Sequence, residues 1–317
     1  MQGLVKQHPK MTPITKTVKK EKNKTGMMRK SSLAGYLFLL PWLIGFFVFR
    51  LIPMGASFFF SLNNFDMLTP PQFIGFTNYA NLFSDARFLN SVRVTFTFVF
   101  LSVPFQLAFS LMVALLLKKN RPGIRIYRAM YYLPSLFGGS VAVAILWRQL
   151  FNQTGLFNQF LALFGIQGIN WISTPHTALY TLIVLTVWQF GASMVIFLAA
   201  LKQIPEEYYE AASIDGVGKW HQFTKITLPI LTPIIFFNLI MQIINAFQSF
   251  TPAFIVSGGT GGPVDSTLFY SLYLFIVAFA QFRMGYASAM AWLLLIIIAI
   301  VTGLIFASQK LWVFYDE

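Results

Sequence analysis

Two groups of polar residues stand out in a chain that is otherwise mostly apolar. The first lies between positions 202 and 229. Glu206, Glu207, Glu210 and Asp215 gather there, with Gly216 and Gly218 after them. The second falls in the apolar run 230–251. Asn238, Gln242, Asn245 and Ser249 recur there at helical spacing and so form one stripe. Just upstream, Trp188 and Gln189 stand one helical turn from Ser193. Amides beside an aromatic ring suit a polyhydroxylated solute, which offers apolar CH faces and hydroxyl edges. The acids have no nucleophile or metal to work with. The chain has no cysteine, and His8, His176 and His221 are scattered. A thiolate, a disulfide and a histidine-built metal centre are therefore not expected. A membrane-embedded enzyme would need a base paired with a nucleophile, and none is legible.

The elements that must position these groups are membrane helices. Of 317 residues, 56% are hydrophobic and 10% charged, against roughly 25% charged in soluble domains. Six apolar stretches, near 35–60, 91–117, 130–149, 177–201, 230–251 and 285–308, approach the ~20 residues that cross a bilayer. The expected fold is all-α and polytopic, with six transmembrane helices. Residues 1–30 read as a disordered basic tail, and 31–317 as the membrane domain.

Charge sets the expected orientation. Of 23 Lys and Arg, 18 fall in 1–34, 118–129, 202–229 and 309–317. The positive-inside rule places those segments, and hence both termini, in the cytoplasm. Arg50 falls well inside an expected span, whereas Arg93 and Arg148 stand near the outer ends of theirs. Arg50 reads either as snorkelling to the interface or as lining a gate. The excess of basic charge is assigned to topology and anionic lipid, not to nucleic acid.

Within 202–229, Pro205 and the acids after it signal a helix start. Asp215-Gly216 and Val217-Gly218 break that helix, and a second one is expected from Lys219 to Ile226, stopped at Leu228-Pro229. The outer segments 61–90 and 150–176 are expected to form short interfacial helices. The glycines of 257–263 lack the spacing of a nucleotide loop and read as a tight turn or re-entrant connection.

The spacing Glu210-Ala211-Ala212, Gly216, Ile226, Leu228-Pro229 resembles the EAA signature of binding-protein-dependent ABC importer permeases. Leu40-Pro41-Trp42, the run 73–79, Gly261-Gly262-Pro263 and the run 284–289 also resemble the carbohydrate-uptake branch related to the maltose-system membrane subunits. That resemblance implies a type I importer permease fold in the bacterial cytoplasmic membrane. It implies a second homologous permease, most simply as a heterodimer, and two ATPase subunits or a homodimer of one. A solute-binding protein would deliver the sugar. ATP and Mg would be used by the ATPases, with no cofactor bound by this chain. Glu210, Ala211, Ala212, Asp215 and Gly216 would then form a coupling helix against an ATPase. Trp188, Gln189, Asn238, Gln242, Asn245 and Ser249 would line the solute path. The competing reading of the stripe is hydrogen bonding between helices, and that of Trp188 is interfacial anchoring. The short segment 61–90 departs from the maltose-type subunit, so the binding protein would dock on smaller loops.

The rival function is an ion-coupled secondary carrier for a small polar solute. Such carriers generally hold carboxylates or histidines inside the membrane. None of the ten acids lies in an expected span, which favours ATP-driven import.

Overall fold

The computed structural model describes residues 38–119 and 121–314. The basic tail expected at 1–30 lies outside the described residues. The chain divides into two units, one through Ala56 and one from Ser57 onward, and the boundary falls within the apolar helix Phe38–Ser61. In the first unit, helical residues 38–56 are mostly exposed and apolar. A wider π turn, Phe47–Leu51, carries the exposed Arg50.

The second unit is organised around the helix Ala86–Leu117, which starts earlier than the expected residue 91. The reason is a cap. The Asp85 carboxylate accepts the backbone N–H groups of Arg87 (2.9 Å) and Phe88 (3.1 Å), two donors that have no partner within the helix. The buried face runs through Phe88, Ser91, Thr95, Phe98 and Ser102. It packs against Pro175–Trp188, Gly191–Gln203 and Leu228–Phe247.

Among the described residues, five helices are long and apolar enough to span a membrane. The third stretch departs from expectation. In place of one rod over 130–149, Ile124–Leu136 and Val141–Leu150 meet at 98°. Pro134 lies near the end of the first helix, and Gly139 adopts φ +73 at the corner. Ser140 then caps the second, its hydroxyl accepting the Ala142 N–H. Counted as one broken span, the pair brings the total to six. Gly191 sets how closely Gly191–Gln203 approaches the first arm. A β-carbon there would lie 2.5 Å from the Tyr131 carbonyl oxygen.

A second departure concerns Leu228-Pro229. The helix does not stop there, and the helical run Lys219–Val256 passes through it. A π turn, Phe223–Thr227, precedes Leu228–Phe247, and Pro229 lies just after it. The proline has no N–H to give to the turn before it, and the wider turn, in which the Leu228 N–H meets the Phe223 carbonyl, carries the helix past that gap.

The expected short helices are present as Thr77–Ser84 and Leu156–Ala162. Two-residue strands, Asn63–Asn64 and Gln72–Phe73, pair antiparallel, a small addition to an otherwise helical fold. The buried Asn78 amide donates to the Ser61 and Asn63 carbonyls (2.9 Å each). Gly285 packs against the Asn63 carbonyl so tightly that a side chain would overlap it.

At 257–265 the glycine-rich segment forms consecutive turns, with Gly258, Gly259, Gly261 and Gly262 all at positive φ. Asp265 at its end forms a two-bond ion pair with Arg87, 2.8 Å on each arm. A short apolar helical run, Tyr270–Ala280, follows, and then Met284–Trp312. The Asp85 carboxylate also accepts Tyr273 Oη (2.7 Å) and Tyr286 Oη (2.9 Å). Burial pushes this carboxyl upward, but those hydroxyls and the two backbone N–H groups outweigh it and hold it below the usual value.

Candidate functional site: a capped loop and an amide cavity

The helix Glu206–Ile214 begins with two acids at its positive end and is closed by Gly216. The Val217 N–H reaches the Ala212 carbonyl (2.9 Å) and the Gly216 N–H reaches that of Ser213 (3.1 Å). These are the two bonds of a Schellman ending, and Gly216 supplies the left-handed residue at φ +74. Gln222 ties the next helix, Lys219–Gln222, back to Ser213 Oγ (3.1 Å) and the Val217 carbonyl (3.0 Å). Tyr209 anchors the loop to the body. Its hydroxyl lies 2.9 Å from Thr227 Oγ1, and Lys118 Nζ stands 4.3 Å above its ring. Glu210, Ala211, Asp215 and Gly216 are exposed, and Ala212 is half-buried. Sequence reasoning passed over two neighbours, Ile214 (86% exposed) and Trp220 (73% exposed). Apolar side chains this open, set among acids, form a surface suited to a protein partner. Their signal was available as apolar residues inside an otherwise polar loop.

The second constellation is a cavity of about 450 Å³ walled by several helices. Gln189, Gln242, Asn245 and Ser249 line it, so four of the six expected pathway residues come together. Gln242 Nε2 donates to Ser193 Oγ (2.9 Å), so this residue both lines the cavity and joins two helices. Ser249 reaches the wall from beyond the end of Leu228–Phe247, and the stripe is helical only through Asn245.

The other two lie elsewhere. Asn238, 2% exposed, turns back on its own helix and donates to the Ile234 carbonyl (2.9 Å). The cavity does not extend the extra turn to reach it. Trp188 faces a different, apolar cavity with Val143, Leu146 and Trp147, its ring 5.9 Å from that of Trp147. Consecutive residues on a helix point about 100° apart. With Gln189 at the amide cavity, Trp188 is turned away.

Gln106 is one of the polar wall residues that sequence reasoning did not assign, with Ser135, Thr186 and Thr251. It is 5% exposed, its Nε2 donates to the Gln189 carbonyl at 3.3 Å, and its Oε1 makes no hydrogen bond. A buried acceptor without a donor is costly and suits a site that a hydroxyl fills. A lone amide in the middle of the apolar run 91–117 was the available signal. Among the described residues, none that lines this cavity is charged. Its described wall offers donors and acceptors of hydrogen bonds, from amides and hydroxyls.

Residues 74–312 match the family described as "Binding-protein-dependent transport system inner membrane component". Over 296 residues the chain is 53% identical to the "Probable ABC transporter permease protein YesP" of Bacillus subtilis, an alignment covering 93% of this chain and 96% of the relative. It is 32% identical to the "Lactose transport system permease protein LacF" of Rhizobium radiobacter, covering 91% and 98%. A chain of the "bacterial alginate ABC transporter in complex with alginate pentasaccharide-bound periplasmic protein" superimposes with a TM-score of 0.79 at 22% identity, covering 91% and 98%, a likeness of fold. The chain therefore belongs to the family of inner membrane components of binding-protein-dependent transport systems, as a multi-pass ABC permease subunit and not an enzyme.

Proposed function

We propose that this subunit carries a sugar, most simply an oligosaccharide, through the amide cavity in steps driven by ATP. The observation behind this reading is the wall itself. Amides and hydroxyls at Gln106, Gln189, Gln242, Asn245 and Ser249 line one cavity, and among the described residues its lining holds no charge. Such a wall favours a neutral polyol surface over an ion. The lactose system named for one relative supports the same solute class.

In this reading both termini and the loop 202–229 lie in the cytoplasm. Glu210, Ala211, Ala212, Asp215 and Gly216 seat the loop in an ATPase subunit, with Ile214 and Trp220 as apolar anchors. A second, homologous permease completes the pathway. Two ATPase subunits, or two copies of one, bind ATP and Mg, and an extracytoplasmic protein delivers the sugar. ATPase closure draws the loops together, and a capped loop passes that movement to the spans as a rigid body. ATP hydrolysis and product release then reset the pathway.

Reconstituted liposomes test the proposal. Radiolabelled lactose or a maltodextrin, given with the binding protein and internal ATP, should accumulate after protonophore treatment. Uptake that needs a proton gradient and ignores ATP would favour the ion-coupled alternative.

A further inference from the structure

The segment 118–128 holds five cations in eleven positions, Lys118, Lys119, Arg121, Arg125 and Arg128. The stretch 86–205 around them contains no acid. Among the described residues, no carboxylate lies within salt-bridge distance of any of the five. Like charges crowded in this way repel, and a counter-anion relieves them.

The fold draws these cations to the end of one spanning helix. Gly123, at φ +79, turns the chain into Ile124–Leu136. Arg128 Nη2 then donates to the Leu117 carbonyl (2.6 Å), at the C-terminal end of Ala86–Leu117. Its Nε is buried and has no acceptor among the described residues. Arg125 lies three positions earlier, on the same face as Arg128. Lys118 follows Leu117 directly, and its Nζ stands above the Tyr209 ring. The cluster therefore lies at the end of the body that carries the loop 202–229. Lys119, Arg121 and Arg125 are exposed. The cations begin where the span ends, which is the level of lipid headgroups. Beside them, Ile126, Met130 and Leu133 recur at helical spacing, and each is exposed. This apolar stripe starts one residue from Arg125.

We propose that this corner binds a phospholipid with two headgroup phosphates, cardiolipin. Guanidinium and ammonium groups are both good phosphate partners. Five cations without a carboxylate match two phosphates better than one. The acyl chains would lie along Ile126, Met130 and Leu133. A free phosphate would use the cations and leave that stripe bare. The lipid would tie the first arm of the broken span to the end of Ala86–Leu117, beside the tyrosine that anchors the loop. The inference goes beyond the solute-pathway reading and does not depend on it, since the lipid would bind whichever solute is carried.

The test uses the full transporter, stripped of lipid in detergent and titrated under native mass spectrometry. Cardiolipin should bind at least about tenfold more tightly than phosphatidylglycerol, which carries one phosphate. Arg125→Gln should weaken cardiolipin about fivefold, and the triple change Lys119→Gln, Arg121→Gln and Arg125→Gln about a hundredfold. Arg128 stays in place because its bond to Leu117 holds the helices together. Lys310→Gln, which removes an exposed cation from Met284–Trp312, should leave the affinity unchanged. Co-purification of all subunits checks that the variants assemble, and the single change keeps the test decisive if the triple one does not. Equal affinity for the two lipids, binding that survives Arg125→Gln unweakened, or an equal loss in Lys310→Gln would overturn the inference. Displacement of cardiolipin by the same concentration of inorganic pyrophosphate would make this a site for soluble anions and would also overturn it. If the unaltered transporter binds no cardiolipin and the triple variant loses a subunit on purification, the cluster meets an acidic protein face and the inference falls.

Discussion

The loop at 202–229 and the amide cavity are built from contacts of opposite reach. In the loop, Ser213 Oγ bonds to a carbonyl four positions away, and Gln222 reaches partners five and nine positions away. In the cavity, Gln242 and Ser193 are 49 positions apart, and Gln106 and Gln189 are 83 apart. A piece closed on itself keeps its shape when pushed. A cavity walled by separate helices changes shape when those helices shift. The first arrangement suits transmission of force, and the second suits an opening that must accept and release a solute.

The largest effect is expected where the loop's rigidity is attacked. Proline cannot adopt the φ of +74 found at Gly216, and it lacks the N–H that meets Ser213. Gly216→Pro should lower ATP-driven uptake at least about tenfold, since one lost unit of about 1.4 kcal/mol already gives that factor. Gly216→Asn, which tolerates the left-handed region, should keep most of it. Equal uptake by the proline variant would show that the loop's shape does not matter.

Removing two cavity amides comes next. Gln242→Ala with Asn245→Ala should raise the half-saturating sugar concentration by roughly tenfold, given about 0.5–1.5 kcal/mol for each lost hydrogen bond. If uptake of every solute tested is unchanged, the stripe only holds helices together. Tyr209→Phe probes where the loop is anchored to the body. Loss of the bond to Thr227 should cost about 1 kcal/mol, read as a small drop in the unfolding midpoint in detergent. An unchanged midpoint would mean that the hydroxyl contributes nothing there.

The smallest effect concerns the cap on Ala86–Leu117. The folded Asp85 carboxyl lies below its ordinary value, so the ionised form favours folding. That contribution is present above the unfolded value of about 3.9 and is lost as pH falls through the lower folded one. The unfolding midpoint should therefore decline below about pH 4 more steeply than in Asp85→Asn. Parallel pH profiles for the two proteins would remove Asp85 from the account.

The same difference in reach explains which features are legible in the sequence. The loop was legible because its signals are local: acids at a helix start and a glycine where a left-handed residue is needed. Asp85 could have been read as a cap in the same way. The break between Leu136 and Val141 was harder, because apolar content alone does not distinguish a rod from a corner. Pro134 and the Gly138-Gly139 pair carried that information. Asn238 and Trp188 show the limit most clearly. Asn238 shares the helical face of Gln242, and Trp188 adjoins Gln189 in sequence. Which of them meets a cavity depends on where neighbouring helices end, and spacing along one helix does not encode that. Gln106 reaches the cavity from another helix for the same reason.

In the proposed function, ATP-driven movement enters this chain through the loop at 202–229. Because the chain has no cysteine, Glu210→Cys would place a single thiol on it. A benzophenone photocrosslinker on that thiol, in the full transporter in liposomes, should capture an ATPase subunit, with a yield that changes when a non-hydrolysable ATP analogue is added. Capture of lipid alone, or of no ATPase in either nucleotide state, would contradict the claim.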